Sequence, residues 1–349
     1  MNNKFVMIRK WILTLLLAMG IGSLLILMIN ENPIDAYMAL IRGAFRGKLK
    51  FGTTLASFTP VLLTSTAFAV ASKAGAFNVG VEGEVFLGAI AAAYIGINWT
   101  FLPAPVLLCA CFIGAMAVGA AWAFIPGFLK VQFGVNEVCV TILMNSVAQY
   151  IASYLVSGPM SSGGANNQSL PVTVTLPKFM TPSNANAGLF VAVVAVILVW
   201  WMLNKTVFGY KIRATGTNFS HAEYTGINPG KVLIQTMMLS GALGGIAGCI
   251  EVLGVYGYYL DNFAVGLGSN GMLAALIARC NIAVAPVISF LLAVLKTGAL
   301  GMQQSIGVPK SIVDTITAIF ICVATMELLF TFRGSKNRRK IGGVKNEIQ

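Results

Sequence analysis

The side chains able to do chemistry in this chain are few, and their types suit binding better than bond-making. The stretch KAGAFNVGVEGE, Lys73 to Glu84, sets the amide of Asn78 and the carboxylates of Glu82 and Glu84 among glycines. Further on, Asn145 and Gln149 are polar residues in an otherwise apolar run. Their i, i+4 spacing places both on one face of a helix. Amides and carboxylates of this kind can hydrogen-bond a small polar solute. Reaction chemistry has no such foothold. No G-x-x-x-x-G-K-[ST] phosphate loop occurs, no nucleophile-and-base constellation stands out, and His221 is the sole histidine, which excludes a His-based metal site. The six cysteines all fall in or beside apolar runs without a C-x-x-C pair, so they read as small buried hydrophobes rather than ligands. No metal and no cofactor is implied, and any use of ATP must come from another chain.

A second constellation is the segment Asn204 to Lys231, NKTVFGYKIRATGTNFSHAEYTGINPGK. It reads as a short helix bracketed by stops. Thr217, Asn218 or Ser220 can cap its start, Ser220 and Glu223 are spaced as a capping box, and Gly226 can end it before a helix that begins near Asn228-Pro229. Two helical turns are marginal alone in water, so this piece should dock against something, either a groove in a partner protein or lipid headgroups.

The elements that must position these groups follow from composition. Apolar residues are 57% of the chain, charged residues 10%, and mean hydropathy is +0.82. Soluble domains carry about 25% charged residues. Lipid is therefore the expected solvent, and at roughly 20 residues per crossing the 349 residues leave room for about ten spans in one membrane domain, 1–349. Apolar windows fall at Trp11–Ile29, Thr53–Ser72, Glu82–Ile97, Ala104–Ile125, Glu137–Val156, Gly188–Leu203, Val232–Leu253, Asn270–Asn281, Ala283–Gly301 and Ile312–Phe332. The first is too long for a signal core and is kept as a helix.

The net charge of +12 reads as topology, because Lys and Arg sit at the ends of apolar runs rather than among aromatics; nucleic acid is not an expected partner. Both ends are basic, so an even helix count with both termini cytoplasmic is expected: residues 1–10, the loop 204–231 and the basic tail 333–349 all lie inside. Lys296, within the ninth window, and the cluster Arg42, Arg46, Lys48 and Lys50 do not fit that pattern. The cluster is given to an amphipathic helix, Pro33 to Phe45, lying on the outer surface. The Ser157 to Asn186 segment, rich in Ser, Asn and Pro, is expected to be an external loop.

A Gly-broken polar segment at membrane depth must be buried in protein or line an aqueous cavity, since each unsatisfied amide in hydrocarbon costs several kcal/mol. Glu82 and Glu84 should then face the pathway, a partner group or water; the plainer alternative is a cytoplasmic turn with solvated glutamates. Phe77-x-Val79-Gly80 is echoed by Phe263-x-Val265-Gly266. Five intervening helices would invert the second copy across the membrane, the arrangement of transporters built from inverted repeats. In that case Asn78, Glu82 and the segment from Gly266 to Asn270 flank a central pathway. Rows of small residues, Gly88, Ala92 and Gly96 and again Ser240, Gly244 and Gly248, allow close helix packing.

The stretches KAGAFNVGVEGEVFLGAIAAA, FGVNEVCVTILMNSVAQY and GTNFSHAEYTGINPGKVLIQTMMLSGALGGIAGCIEVLG resemble the permease subunits of simple-sugar and nucleoside ABC importers, nearest the basic-membrane-protein type. The resemblance runs from about Thr53 to Phe330. It implies an all-α, type II-like importer permease working with an ABC ATPase subunit, a second permease that is a paralogue or an identical copy, and an external substrate-binding lipoprotein. It also implies that the loop holding Gly209, Gly216, Phe219, Ala222, Glu223, Tyr224 and Gly226 contacts the ATPase. Asn78, Glu82, Asn145 and Gln149, polar side chains in otherwise apolar segments, are the candidate residues of the translocation pathway, and their amides suit the hydroxyl and base groups of a glycosidic solute. The chain departs from the family at Glu84, where Gln is usual, and after Arg279. The alternative from another class is a secondary transporter driven by an ion gradient. It would need charged residues deep in the bundle, whereas Glu251, Asp314 and Glu327 read as lying toward helix ends.

Overall fold

A computed structural model of the chain describes residues 19–307 except 29 and 165, together with 311, 312, 314–316, 318 and 319. The helices are α1 Met19–Met28, α2 Pro33–Phe45, α3 Gly47–Lys73, α4 Val81–Asn98, α5 Ala104–Phe133, α6 Glu137–Ser157, α7 Gly188–Lys205, α8 Val207–Thr217, α9 Phe219–Tyr224, α10 Pro229–Ile250, α11 Leu267–Ile277 and α12 Ala285–Ile306. A π-helical stretch, Glu251–Tyr256, prolongs α10. Among the described residues seven helices are long and apolar enough to cross a membrane, or up to eight if α1 and α2 form one bent span.

The expected windows are recovered as helices from Thr53 to Gly301, with one departure in kind. The Asn270–Asn281 window is α11, whose 11 residues extend only about 16 Å at 1.5 Å each, about half of the hydrocarbon thickness. It enters the bundle without spanning it. The Ile312–Phe332 window lies almost wholly outside the described residues, and the two basic termini lie outside them entirely. The helix anticipated at Pro33 to Phe45 is α2. It buries Ala36, Ala39, Gly43 and Ala44 and leaves Ile34, Met38, Ile41 and Phe45 exposed.

The chain divides into two compact units, residues 45–294 and residues 1–44 with 295–349. In the smaller unit Ile26, Ala36, Ala39, Met302 and Ile316 form the core, and Gly43 lies against Gly301 so closely that a Cβ on either would strike the other's backbone. In the larger unit α3, α4 and α10 are largely buried, while α5, α6 and α7 bury less than a third of their apolar windows. The small-residue rows explain that centre. A Cβ on Gly88 would strike the backbone of Gly245, and one on Gly248 would strike the carbonyl oxygen of Val85. With no hydrophobic force between helices in lipid, such backbone proximity is what van der Waals packing requires.

Candidate functional site

The site is built where α3 stops. Gly75, at φ +81, turns the chain out of the helix, a conformation that costs a glycine nothing, and residues 76–80 then run without helical structure into α4. Such a stretch inside a membrane protein needs partners for its free amides. Asn78, fully buried, supplies the first set. Its Nδ2 donates to Glu84 Oε1 at 2.6 Å and to Ser240 Oγ at 2.9 Å, and its Oδ1 accepts the Gly80 N–H at 3.0 Å. Ser240 donates onward to the Ala67 carbonyl at 2.8 Å, which ties α10 to α3. Glu84 is 1% exposed, and its Oε2 has no hydrogen-bond partner among the described residues. The solvated-turn alternative therefore fails for Glu84, which faces the Asn78 amide inside the bundle.

Helix α6 supplies the second set. Its side chains at strict four-residue spacing, Glu137, Thr141, Asn145, Gln149 and Ser153, form one polar stripe. At its start Glu137 Oε1 accepts the Phe77 N–H at 3.3 Å and pairs with Lys130, whose Nζ also donates to the Gly75 carbonyl at 3.3 Å. Two turns later Asn145 Nδ2 donates to the Val79 carbonyl at 3.0 Å while its Oδ1 accepts the Gly83 N–H at 2.8 Å. The second residue of the expected pathway on this stripe, Gln149, donates to Asn262 Oδ1.

The two echoed segments are neighbours. Phe77 to Gly80 leads into α4 and Phe263 to Gly266 into α11, and the starts of these helices meet: a Cβ on Gly268 would lie 2.6 Å from the Cβ of Glu82. Glu82, half-buried, accepts the Ser269 Oγ–H on Oε2 at 3.3 Å. Glu82 and Gly268 occupy equivalent places in the echo, so the contact joins like positions. Of the four expected pathway residues, Glu82, Asn145 and Gln149 thus gather around the paired helix starts. Asn78 lies beneath them, enclosed, with its donors and acceptor committed to protein groups.

The loop 204–231 contains more helix than its residue pattern suggested. Thr206 caps α8, accepting the Gly209 N–H at 3.1 Å, and Asn218 caps α9 by accepting the His221 N–H at 3.0 Å. The Ser220–Glu223 capping box does not form, because Asn218, two residues earlier, is the cap and Ser220 lies inside α9. Gly226, at φ +79, closes the helix as expected, and Asn228 caps α10 by accepting the Lys231 N–H at 2.9 Å. Ala222 is the buried face of α9; Phe219, Glu223 and Tyr224 are exposed, Tyr224 at 90%. Gly209 sits against the Met202 and Leu203 carbonyls, and Gly216 against the Lys73 carbonyl, where a Cβ would overlap that oxygen. α8 therefore ends directly on the turn that leads to Asn78.

Residues 51–325 match the family model described as branched-chain amino acid transport system / permease component. The chain belongs to this family. The guanosine ABC transporter permease protein NupP of Bacillus subtilis is 33% identical to it over 94% of this chain and 96% of its own length. The glucose ABC transporter permease protein TsgB13 of Haloferax volcanii is 31% identical over 89% of this chain and 85% of its own. The nucleoside ABC transporter permease protein NupB of Lactococcus lactis is 29% identical over 92% and 91%. The permease is thus a multi-pass membrane component of an ABC importer, and it is not itself an enzyme; ATP hydrolysis belongs to a separate subunit. Its membership of that family decides against the ion-driven alternative. Burial alone would not, since Glu84 and also Glu251, which stood toward a helix end in the sequence, are both buried.

Three parts of the site had escaped the reading of the residues: the Lys130–Glu137 pair, Ser240, and the Asp261-Asn262 turn opposite Gln149 and Ser153. The four-residue row along α6 was the available signal for the first and last.

Proposed function

We propose that this permease carries nucleosides across the plasma membrane, simple sugars being the nearest alternative cargo, with α8 and α9 as the seat of the ATPase. The reading is supported by the hydrogen-bonding lining around Glu82, Asn145 and Gln149, which suits hydroxyl and base groups, and by the nucleoside permeases to which the chain is similar. The observation that carries the coupling assignment is the contact of Gly216 with the Lys73 carbonyl. A push on the exposed face of α9 passes through α8 to the α3–α4 linker, and thence to Asn78 and the start of α4.

In this reading the loop 204–231 and both termini are cytoplasmic, and the Ser157 to Asn186 segment faces an external substrate-binding lipoprotein. A second permease, identical or paralogous, completes the membrane assembly. Reconstituted with its ATPase and binding protein in vesicles, the permease is expected to accumulate radiolabelled guanosine only when ATP is hydrolysed. Glu223→Arg, which reverses the charge of the exposed α9 surface, is expected to abolish uptake while the protein stays in the membrane. Normal uptake by that variant would refute the coupling role, and accumulation by the permease alone on a cation gradient would refute the whole reading.

A further inference from the structure

The α6 stripe continues beyond Asn145 to a second non-helical backbone. Gln149 Nε2 donates to Asn262 Oδ1, and Ser153 Oγ donates to Asp261 Oδ1 at 2.6 Å. At 1.5 Å per residue these bonds lie about 18 and 24 Å along α6 from Glu137. The Lys130–Glu137 pair and α8 are at the opposite end. The same turn is held from the other side by the loop that follows α6: the Asp261 N–H donates to the Asn167 carbonyl and the Ser169 N–H to the Tyr259 carbonyl, each at 2.9 Å.

Left-handed backbone recurs along the turn. Gly257 at φ +77 and Gly266 at φ +83 bracket it. Both are in the left-handed region that glycine enters freely. Asn262 also sits at φ +60, which is uncommon for a residue with a side chain. It keeps that conformation while its amide meets Gln149. Below, the turn runs straight into α11, whose Gly268 abuts Glu82.

We infer that the 257–266 turn is the outer closure of the pathway, and that the pairs Gln149–Asn262 and Ser153–Asp261 are the latch that holds it shut. The inference rests on the transport reading above, with the Ser157 to Asn186 side external. Two side-chain hydrogen bonds, one of them to a carboxylate, tie the turn to α6 and are few enough to be broken in each cycle, while the Asp261–Asn167, Ser169–Tyr259 and Val172–Gly257 backbone bonds keep the turn joined to the loop that follows α6. Turn and loop move away from α6 together, and α11 carries the movement to Glu82. Gln149, Ser153, Asp261 and Asn262 are positioning residues for transport in this account.

The test uses the full complex in vesicles and two variants in a background with the native cysteines replaced. Ser153→Cys/Asp261→Cys is cross-linked by a short bis-thiosulfonate and verified by mass spectrometry. Guanosine uptake is expected to fall at least tenfold on cross-linking and to return with dithiothreitol. Gln149→Ala/Ser153→Ala, which unlatches the turn, is expected to raise the ATP-independent leak of preloaded guanosine at least threefold. A merely structural role would not produce a leak.

Cross-linked protein that transports at the reduced rate would overturn the inference. So would failure of the cross-link while both thiols react with maleimide, a reduced double-cysteine protein that does not transport, or an unlatched variant that leaks no faster. Failure of the transport reading is distinct from all four, because it would appear as no ATP-dependent guanosine uptake by the unaltered complex.

Discussion

Asn78→Ala tests how the non-helical linker is held. The side chain donates to Glu84 and Ser240 and accepts from Gly80. Ser240 keeps its bond to the Ala67 carbonyl when Asn78 is removed, so two buried groups are orphaned: Glu84 Oε1 and the Gly80 N–H. Each orphaned buried group costs about 1–3 kcal/mol, so the change should destabilise the permease by about 2–6 kcal/mol. Against a total of about 5–15 kcal/mol this is a large fraction. The cost depends on the acid being present. Glu84→Ala removes one of the two orphans in advance, so the double variant Asn78→Ala/Glu84→Ala should be less destabilised than the sum of the two single variants, by at least about 1 kcal/mol. Unfolding of all four proteins in one detergent, followed by thiol exposure or intrinsic fluorescence, measures the cycle. Strict additivity would refute the argument, since it would mean that Asn78 and Glu84 do not depend on each other.

Gly216→Val would force α8 away from the Lys73 carbonyl, a backbone atom that cannot swing aside; the assembled complex should then hydrolyse ATP while uptake falls at least tenfold, and a parallel loss of both activities would contradict the transmission route. Lys130→Glu and Glu137→Lys are each expected to lower uptake severalfold, and the combined swap is expected not to restore it, because a carboxylate at position 130 cannot donate to the Gly75 carbonyl and an ammonium at position 137 cannot accept the Phe77 N–H. Rescue by the swap would reduce the pair to its mutual charge and remove it as a clamp on Gly75 and Phe77. Gly248→Leu should destabilise the α4–α10 contact by about 1–3 kcal/mol or more through overpacking, visible as a lower unfolding midpoint. Gly20→Leu, at a position with nothing within 4 Å of an added Cβ, should leave the midpoint unchanged.

The amino-acid sequence by itself determined that this is a helical membrane protein, because the cost of leaving a backbone amide unpaired in lipid forces helix wherever apolar residues run for a span. It also located the broken segment at Lys73 to Glu84, its echo at Phe263, and the capped piece around Asn218, because glycine, asparagine and proline act over a few residues. Those signals are local, and so are their failures. Asn218 displaced Ser220 as the cap because several neighbouring residues could serve and only the path of α8 selects among them.

Tertiary structure alone decided which polar groups meet. Nothing local to Asn78 indicates that Ser240, in a helix far along the chain, takes its amide, nor that Glu84 turns inward while Glu82 stays half-exposed two residues away. Those outcomes depend on how closely α4 approaches α10 and α11, which the paired glycines set and no single segment encodes. The same holds for the Asp261-Asn262 turn: its residues look like an ordinary polar connection until α6 is laid beside them. A hydrogen bond between distant segments is a property of the assembled fold, and its energy has no counterpart in the periodicity of either segment.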